Sequence, residues 1–219
     1  ARTARSEACA AAVAELEQVV GDRAVVARVD RIELSKNLLR GFLAFEELLR
    51  DRPEWVGRVV FAAAVYPSRE GLPEYLAYRQ EADGVVRRIN DTWARDGWTP
   101  ILWDVGDDYP RSVAVLRRAD VLLVNPVRDG LNLVAKEGVL ANERDAVLAL
   151  SREAGAWEEL AGLAMEVHPF DVAGTAEVLH AALSLPPEER RTRFAALRDR
   201  VASRTPADWW ADQLAAASP

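Results

Sequence analysis

The sequence is poor in the residues that most often mark a metal or cofactor site. Its one cysteine, Cys9, excludes an intramolecular disulfide and is compatible with a reducing cytosol. No cysteine–histidine cluster or carboxylate spacing indicates a metal site, and we interpret the two histidines, His168 and His180, as structural. Walker and Gly-x-Gly-x-x-Gly phosphate loops and the Gly-x-Ser-x-Gly elbow are also missing. We therefore expect neither a metal nor a cofactor.

Two further absences concern the location of the protein and its partners. No apolar run reaches the roughly 18 residues needed to span a bilayer, and the first residues do not resemble a signal peptide. The net charge of −7 argues against nucleic acid or an anionic membrane as a partner, because either would call for a basic face. We therefore expect a cytoplasmic protein with neither kind of partner.

Lysine is rare among the basic residues. Of 28 basic residues only Lys36 and Lys136 are lysines, and the heavy use of arginine and alanine indicates a GC-rich genome. A compact ammonium fits a crowded phosphate where a planar guanidinium does not, so a retained lysine is a candidate site residue. The alternative is that both lysines are retained by chance.

Short β-branched runs alternate with longer amphipathic stretches along the chain. The apolar runs predict strands at 24–29, 58–65, 101–103, 121–125, 146–150 and 164–167. The helical periodicity predicts helices at 6–20, 38–50, 72–94, 110–118, 131–143, 156–161, 172–183, 187–203 and 206–217. Strands that alternate with helices are typical of parallel βαβ units. The predicted fold class is therefore α/β, with one Rossmann-like, doubly wound parallel sheet of about six strands.

The loop after the fourth predicted strand has the features of a phosphate-binding turn. Asp129-Gly130 stands directly before a predicted helix, and Gly130 allows the backbone to approach a ligand closely. The first helical turn then offers free N–H groups and the positive end of the helix dipole to a diphosphate. Glu137, two turns further on, would reach hydroxyls about 6–8 Å beyond the phosphates, such as a ribose diol. The alternative is an ordinary surface helix carrying a Lys136–Glu137 pair.

Two more loops at the carboxyl ends of predicted strands carry cations. Arg31 and Lys36 follow the first strand, where a guanidinium and an ammonium would together clamp a phosphate leaving group. The alternative is a solvated loop in which Arg31 pairs with Glu33. Arg69 follows the second strand and would add positive potential at the same edge. Ligands of doubly wound sheets bind outside this edge, near the point where the strand order reverses.

Taken together, these motifs resemble the trehalose-6-phosphate synthase family of retaining glycosyltransferases, which transfer glucose from a nucleotide sugar to glucose 6-phosphate. The resemblance runs from about residue 25 to the end of the chain, in the family's order and spacing. It is carried by the segments 29–36, 67–69, 128–137, 150–156 and 168–171, of which 128–137 is the most specific.

The resemblance implies the C-terminal half of a GT-B fold, in which two Rossmann-like domains face each other. Residues 1–219 are then expected to be the donor-binding domain, a fragment whose partner is the N-terminal acceptor domain of the same enzyme. The substrates would be UDP-glucose or GDP-glucose and a phosphosugar acceptor, with no metal. A homo-oligomer of the full-length enzyme is left open.

The resemblance also implies roles for individual residues. Arg31 and Lys36 would be catalytic, because they would stabilise the negative charge that grows on the leaving diphosphate. Glu137 would bind the ribose. The remaining donor-binding residues would hold sugar hydroxyls and phosphates, and they are Arg69, Asp129, Gly130, Leu131, Asn132, Leu133 and Val134.

The sequence departs from the family pattern beside the first motif and leaves other functions open. Glu33-Leu34 and Asn37 stand where Asp-Tyr and Gly are more common, and His168 stands where Asn is. The nucleotide base of the donor is therefore not predicted. One alternative is a relative with another acceptor, such as glycerol 3-phosphate or a cyclitol phosphate. Another is a non-catalytic nucleotide-sugar sensor, although a degenerate module has no reason to keep the four charged residues Arg31, Lys36, Asp129 and Glu137.

Overall fold

The computed structural model describes residues 3 to 217 as one parallel sheet with flanking helices. The strands are β1 (Ala24–Arg31), β2 (Val59–Tyr66), β3 (Ile101–Val105), β4 (Val121–Val124), β5 (Val147–Ser151) and β6 (Met165–Val167). Their order in the sheet is β3-β2-β1-β4-β5-β6, and it reverses between β1 and β4. The predicted six-stranded α/β fold is confirmed. Four residues of the predicted 1–219 domain, 1, 2, 218 and 219, lie outside the described range.

Each predicted helix overlaps one helix of the structure. The helices are α1 (Glu7–Val20), α2 (Leu38–Asp51), α3 (Pro73–Trp93), α4 (Tyr109–Arg118), α5 (Leu133–Ala141), α6 (Trp157–Leu160), α7 (Val172–Ser184), α8 (Pro187–Ala202) and α9 (Pro206–Ala217). Across residues 3–217, no helix is long and apolar enough to cross a membrane.

The central strands form the core because they are apolar on both faces. All residues of β2 from Val59 to Val65 are buried, as are six of the eight residues of β1. The aromatic rings of α2 pack edge-on against β2, with ring centroids of Phe42 and Phe45 each 5.3 Å from that of Phe61. Full burial of such a side chain contributes about 1.5–3 kcal/mol to stability. The rigid centre of the sheet therefore fixes the loops at the ends of β1 and β4.

Helix α5 is shorter than predicted. It begins at Leu133 instead of residue 131 and ends at Ala141 instead of residue 143. Asn132 has a left-handed backbone, with φ of 56°, which no helical residue can adopt. Gly130 and Leu131 therefore belong to the turn, and the Asp-Gly pair does not open directly into the helix.

Candidate functional site

The loops that follow β1 and β4 meet where the strand order reverses. The Val127 N–H donates to the Ser35 carbonyl at 2.9 Å, and Asn37 Nδ2 donates to the Asn125 carbonyl at 3.0 Å. These bonds join two segments that are about 90 residues apart in the sequence. Crevices of doubly wound sheets lie at this position, so the two loops meet where a ligand is expected to bind.

Lys36 links the two predicted motifs. Its Nζ lies 2.5 Å from Asp129 Oδ2 and 3.6 Å from Asp30 Oδ1, and 12% of its side chain is exposed. It ends a short 3-10 turn, Leu34–Lys36, after which the left-handed Asn37 starts α2. The contact between Lys36 and Asp129 brings the cationic loop and the Asp-Gly turn into one site.

The two carboxylates beside Lys36 differ in their electrostatic environment. Burial raises the pKa of Asp30 above its usual value, although the charges of Arg28 and Lys36 oppose this shift. Burial would also raise the pKa of Asp129, but the hydrogen bond and charge of Lys36 outweigh it and hold that pKa below its usual value. Asp129 is therefore ionised at neutral pH and forms a charged pair with Lys36.

The first turn of α5 is capped by a side chain of the site. Asn132 Oδ1 accepts from the Ala135 N–H at 3.1 Å, and Asn132 Nδ2 donates to Asp129 Oδ2 at 3.1 Å. The cap therefore occupies the Ala135 N–H, one of the first-turn N–H groups that were predicted to bind a phosphate. Leu131 and Leu133, on either side of Asn132, are more than half exposed.

The left-handed backbone of Asn132 leads to a stability prediction. We expect Asn132→Ala to lower the free energy of unfolding by about 1–3 kcal/mol, since it removes the cap and strains the left-handed position. Asn132→Gly should cost only a few tenths of a kcal/mol, because glycine adopts the left-handed backbone without strain and is nearly as good as asparagine at the start of a helix. Urea unfolding of both variants measures the difference.

Asp171→Ala is the matched control for that experiment. Asp171 caps α7, because its Oδ1 accepts a hydrogen bond from the Gly174 N–H at 2.8 Å. The backbone of Asp171 is not left-handed, since its φ is −97°. Its replacement removes a cap without left-handed strain and should cost about 0.5–2 kcal/mol. If Asn132→Ala and Asn132→Gly lower the free energy of unfolding equally, then the left-handed backbone of Asn132 contributes nothing to the effect.

The glycine that the turn requires most strictly is Gly155. A Cβ at Gly130 would meet nothing within 4 Å, which leaves the open space that a ligand needs. At Gly155 a Cβ would lie 1.9 Å from the Gly130 carbonyl oxygen, closer than any real contact. The Gly155 N–H donates to the Asp129 carbonyl at 2.8 Å, so the two segments run side by side. The sequence predicts no role for Gly155, because this contact joins two separate loops, those that follow β4 and β5.

Arg31 pairs with Glu33, which was the alternative to a phosphate clamp in the sequence analysis. Its Nη1 lies 2.7 Å from Glu33 Oε1, and 45% of its side chain is exposed. Glu33 is buried and also accepts from Ser68 Oγ at 2.8 Å, which ties the first loop to the second. Arg69, the next residue, is exposed and left-handed, and its guanidinium carbon lies 5.6 Å from the centre of the Tyr75 ring.

A cleft of about 870 Å³ brings part of the predicted set together. Arg31, Lys36, Val134 and Glu137 all line it. The remaining predicted residues lie outside its lining, and they are Arg69, Asp129, Gly130, Leu131, Asn132 and Leu133. The cleft thus joins the cationic loop to the helix that carries Glu137.

Lys136 faces a different part of the protein. Its Nζ pairs with Glu159 Oε2 of α6, so the ion-pair partner of Lys136 is Glu159 and the neighbouring Glu137 lines the cleft. Within the described part of the chain, no group of three or more His, Cys, Asp or Glu side chains could hold a metal ion.

Known proteins match the chain in both sequence and structure. The profile of glycosyltransferase family 20 matches residues 1–218. A bifunctional trehalose-6-phosphate synthase/phosphatase from Thermoproteus tenax is 41% identical over 203 residues, which are 91% of this chain and 28% of that protein. A UDP-forming alpha,alpha-trehalose-phosphate synthase from Burkholderia xenovorans, in complex with glucose-6-phosphate, has a TM-score of 0.89 at 34% identity and covers 98% of this chain and 47% of its own.

A further solved structure, from E. coli and bound with UDP-2-fluoro glucose, has a TM-score of 0.86 at 32% identity, over 93% of this chain and 46% of its own. The chain therefore spans less than half the length of these relatives. The resemblance predicted from the motifs is confirmed along nearly the whole sequence. The chain belongs to glycosyltransferase family 20.

Proposed function

We propose that this chain is the donor-binding domain of a retaining glycosyltransferase that transfers glucose from UDP-glucose or GDP-glucose to glucose 6-phosphate. The acceptor would bind mainly to an N-terminal domain of the same enzyme. The contact between Lys36 and Asp129 carries the proposal, because it unites the two most informative motifs at the switch point of the sheet.

Charge and position support distinct roles within the site. Arg31 and Lys36 line one cleft and carry the positive charge that a diphosphate needs. Each is paired with a carboxylate here, Arg31 with Glu33 and Lys36 with Asp129. Donor binding would exchange these carboxylates for phosphate oxygens, and it would free Asp129 to accept hydrogen bonds from sugar hydroxyls. Glu137, in the same cleft, is the proposed partner of the ribose.

The proposed chemistry needs no enzymic nucleophile. The bond between the anomeric carbon and the diphosphate oxygen breaks, and its electron pair stays on that oxygen. The acceptor hydroxyl oxygen bonds to the anomeric carbon from the same face, and its proton passes to the leaving phosphate. Arg31 and Lys36 would stabilise the charge that grows on the diphosphate, as preorganised donors do in other transfer reactions.

Calorimetric titration of the 219-residue chain tests the donor site. We expect UDP-glucose or GDP-glucose to bind with measurable heat, and glucose 6-phosphate alone to give none, because the acceptor site would lie elsewhere. Lys36→Ala should raise the Kd of the donor by about tenfold, the loss of one charge-assisted hydrogen bond, while the chain remains folded by circular dichroism. A folded wild-type chain that gives no heat with either donor contradicts the assignment.

A further inference from the structure

Arg28 is a fully buried arginine directly beneath the site. It lies on β1, two residues before Asp30, so both side chains point to the same face of the sheet. None of its side chain is exposed. A buried guanidinium costs several kcal/mol unless it is paired and hydrogen-bonded, so a residue with a packing role alone would be apolar here.

The guanidinium connects the two loops of the site from below. Nη2 donates to the Lys36 carbonyl at 2.6 Å and to Asn125 Oδ1 at 2.7 Å, and Nε donates to Asp30 Oδ2 at 3.0 Å. Lys36 ends the loop after β1, and Asn125 begins the loop after β4. Arg28 therefore fixes the backbone from which the Lys36 side chain extends.

Helix α2 leaves room for this side chain at one glycine. A Cβ at Gly41 would lie 2.4 Å from Arg28 Nη1 and 3.4 Å from Asn125 Oδ1. Any larger residue would push the guanidinium away from both loops. Gly41 therefore leaves the space on α2 that the Arg28 guanidinium occupies.

Four charged side chains lie together beneath the cleft, and their charges balance only when Arg28 is included. Arg28 and Lys36 carry two positive charges, and Asp30 and Asp129 carry up to two negative ones. Arg28 bonds Asp30 directly at 3.0 Å, whereas Lys36 is 3.6 Å from Asp30 and 2.5 Å from Asp129. Arg28 is thus the nearer cation to Asp30, and the ammonium of Lys36 is left closer to Asp129.

We propose that Arg28 is a positioning residue for Lys36: it holds the Lys36 carbonyl and occupies Asp30, so that the ammonium is presented to the cleft. The inference rests on the proposed donor-binding function, in which Lys36 contacts the diphosphate.

A matched buried arginine makes the test specific. Arg118 has 2% of its side chain exposed, and its Nη1 pairs with Asp120 Oδ2, two residues later, at 2.9 Å. It also donates to the Arg23 carbonyl at 2.9 Å, at the opposite end of β1 from the cleft. Arg28→Met and Arg118→Met are compared in the full chain by thermal unfolding, and by calorimetry with UDP and GDP below each unfolding midpoint.

We expect both variants to unfold at lower temperature, since each removes the buried arginine that hydrogen-bonds a buried carboxylate. Only Arg28→Met should raise the Kd of the nucleoside diphosphate, by about tenfold or more, as expected when one charge-assisted hydrogen bond is misplaced. Arg28→Lys keeps the charge beside Asp30 but cannot bridge both loops, so it should recover stability more than affinity. Equal affinities in Arg28→Met and Arg118→Met overturn the inference.

A second pair of variants answers the same question if Arg28→Met does not fold. Arg28→Met/Asp30→Asn is compared with Asp30→Asn, because neither leaves a charged carboxylate unpaired. Weaker nucleotide binding by the double variant, by about fivefold or more, supports the role of the Arg28 bridge, and equal binding overturns it. A wild-type chain that binds neither UDP nor GDP overturns the proposed function as well, whereas normal wild-type binding with unaffected Arg28 variants overturns only this inference.

Discussion

Lys36→Ala, in a catalytically complete enzyme that contains this chain, is expected to lower kcat by about 10²–10³-fold, with a smaller change in the KM of the donor. The ammonium would face a diphosphate whose charge increases as the glycosidic bond breaks. Its interaction is therefore stronger in the transition state than in the ground state, and its loss appears mainly in kcat. Steady-state kinetics with varied donor concentration measures both constants.

Lys136→Ala is the matched control for that measurement. Lys136 belongs to the same sequence motif but pairs with Glu159 on α6. An ion pair of this kind contributes about 0–1 kcal/mol to stability, and its loss should leave kcat within about threefold of the wild-type value. A Lys36 variant with a raised KM and an unchanged kcat would remove the leaving-group role and leave only ground-state binding.

Gly155→Ala is expected to disrupt the donor site through the backbone. The new Cβ would lie 1.9 Å from the Gly130 carbonyl oxygen and 2.6 Å from its carbonyl carbon. Because these are backbone atoms, the two segments must separate, and the bond from the Gly155 N–H to the Asp129 carbonyl at 2.8 Å is lost. We expect a stability loss of about 1–3 kcal/mol or more and a displaced Asp129. Donor titration should then show binding weakened by about tenfold or more.

Gly130→Ala separates this backbone clash from a general intolerance of the turn. Its added Cβ would meet nothing within 4 Å, so the free energy of unfolding should change by less than about 0.5 kcal/mol. Urea unfolding of the two variants compares the effects directly. A Gly155→Ala chain as stable as Gly130→Ala would show that the segments are not held side by side in solution.

The sequence predicted the fold because local patterns determine it. Apolar runs such as Val59 to Val65 are long enough to identify a buried strand, and their alternation with helices leaves a parallel sheet as the natural arrangement. The edge of the sheet that carries Lys36 and Asp129 followed from the same rule. Element boundaries were less certain, and the start of α5 was misplaced because the left-handed Asn132 is not marked by periodicity.

What the sequence did not predict depends on contacts between distant segments. The bridge from Arg28 to Asn125 spans 97 residues, and nothing near Arg28 in the chain indicates it. The clash that makes Gly155 necessary comes from Gly130, on a neighbouring loop. The partners of Arg31 and Lys36 also required the structure, since charge alone does not choose between Glu33, Asp30 and Asp129.

The scarcity of lysine gives the site a spectroscopic label of its own. Lys36 and Lys136 lie in separate ion pairs, with 12% and 30% of their side chains exposed. A sample with isotope-labelled lysine would therefore show two side-chain resonances in different surroundings. The Lys36 resonance would report on the cleft, and the Lys136 resonance would serve as an internal reference that a ligand at the cleft leaves in place.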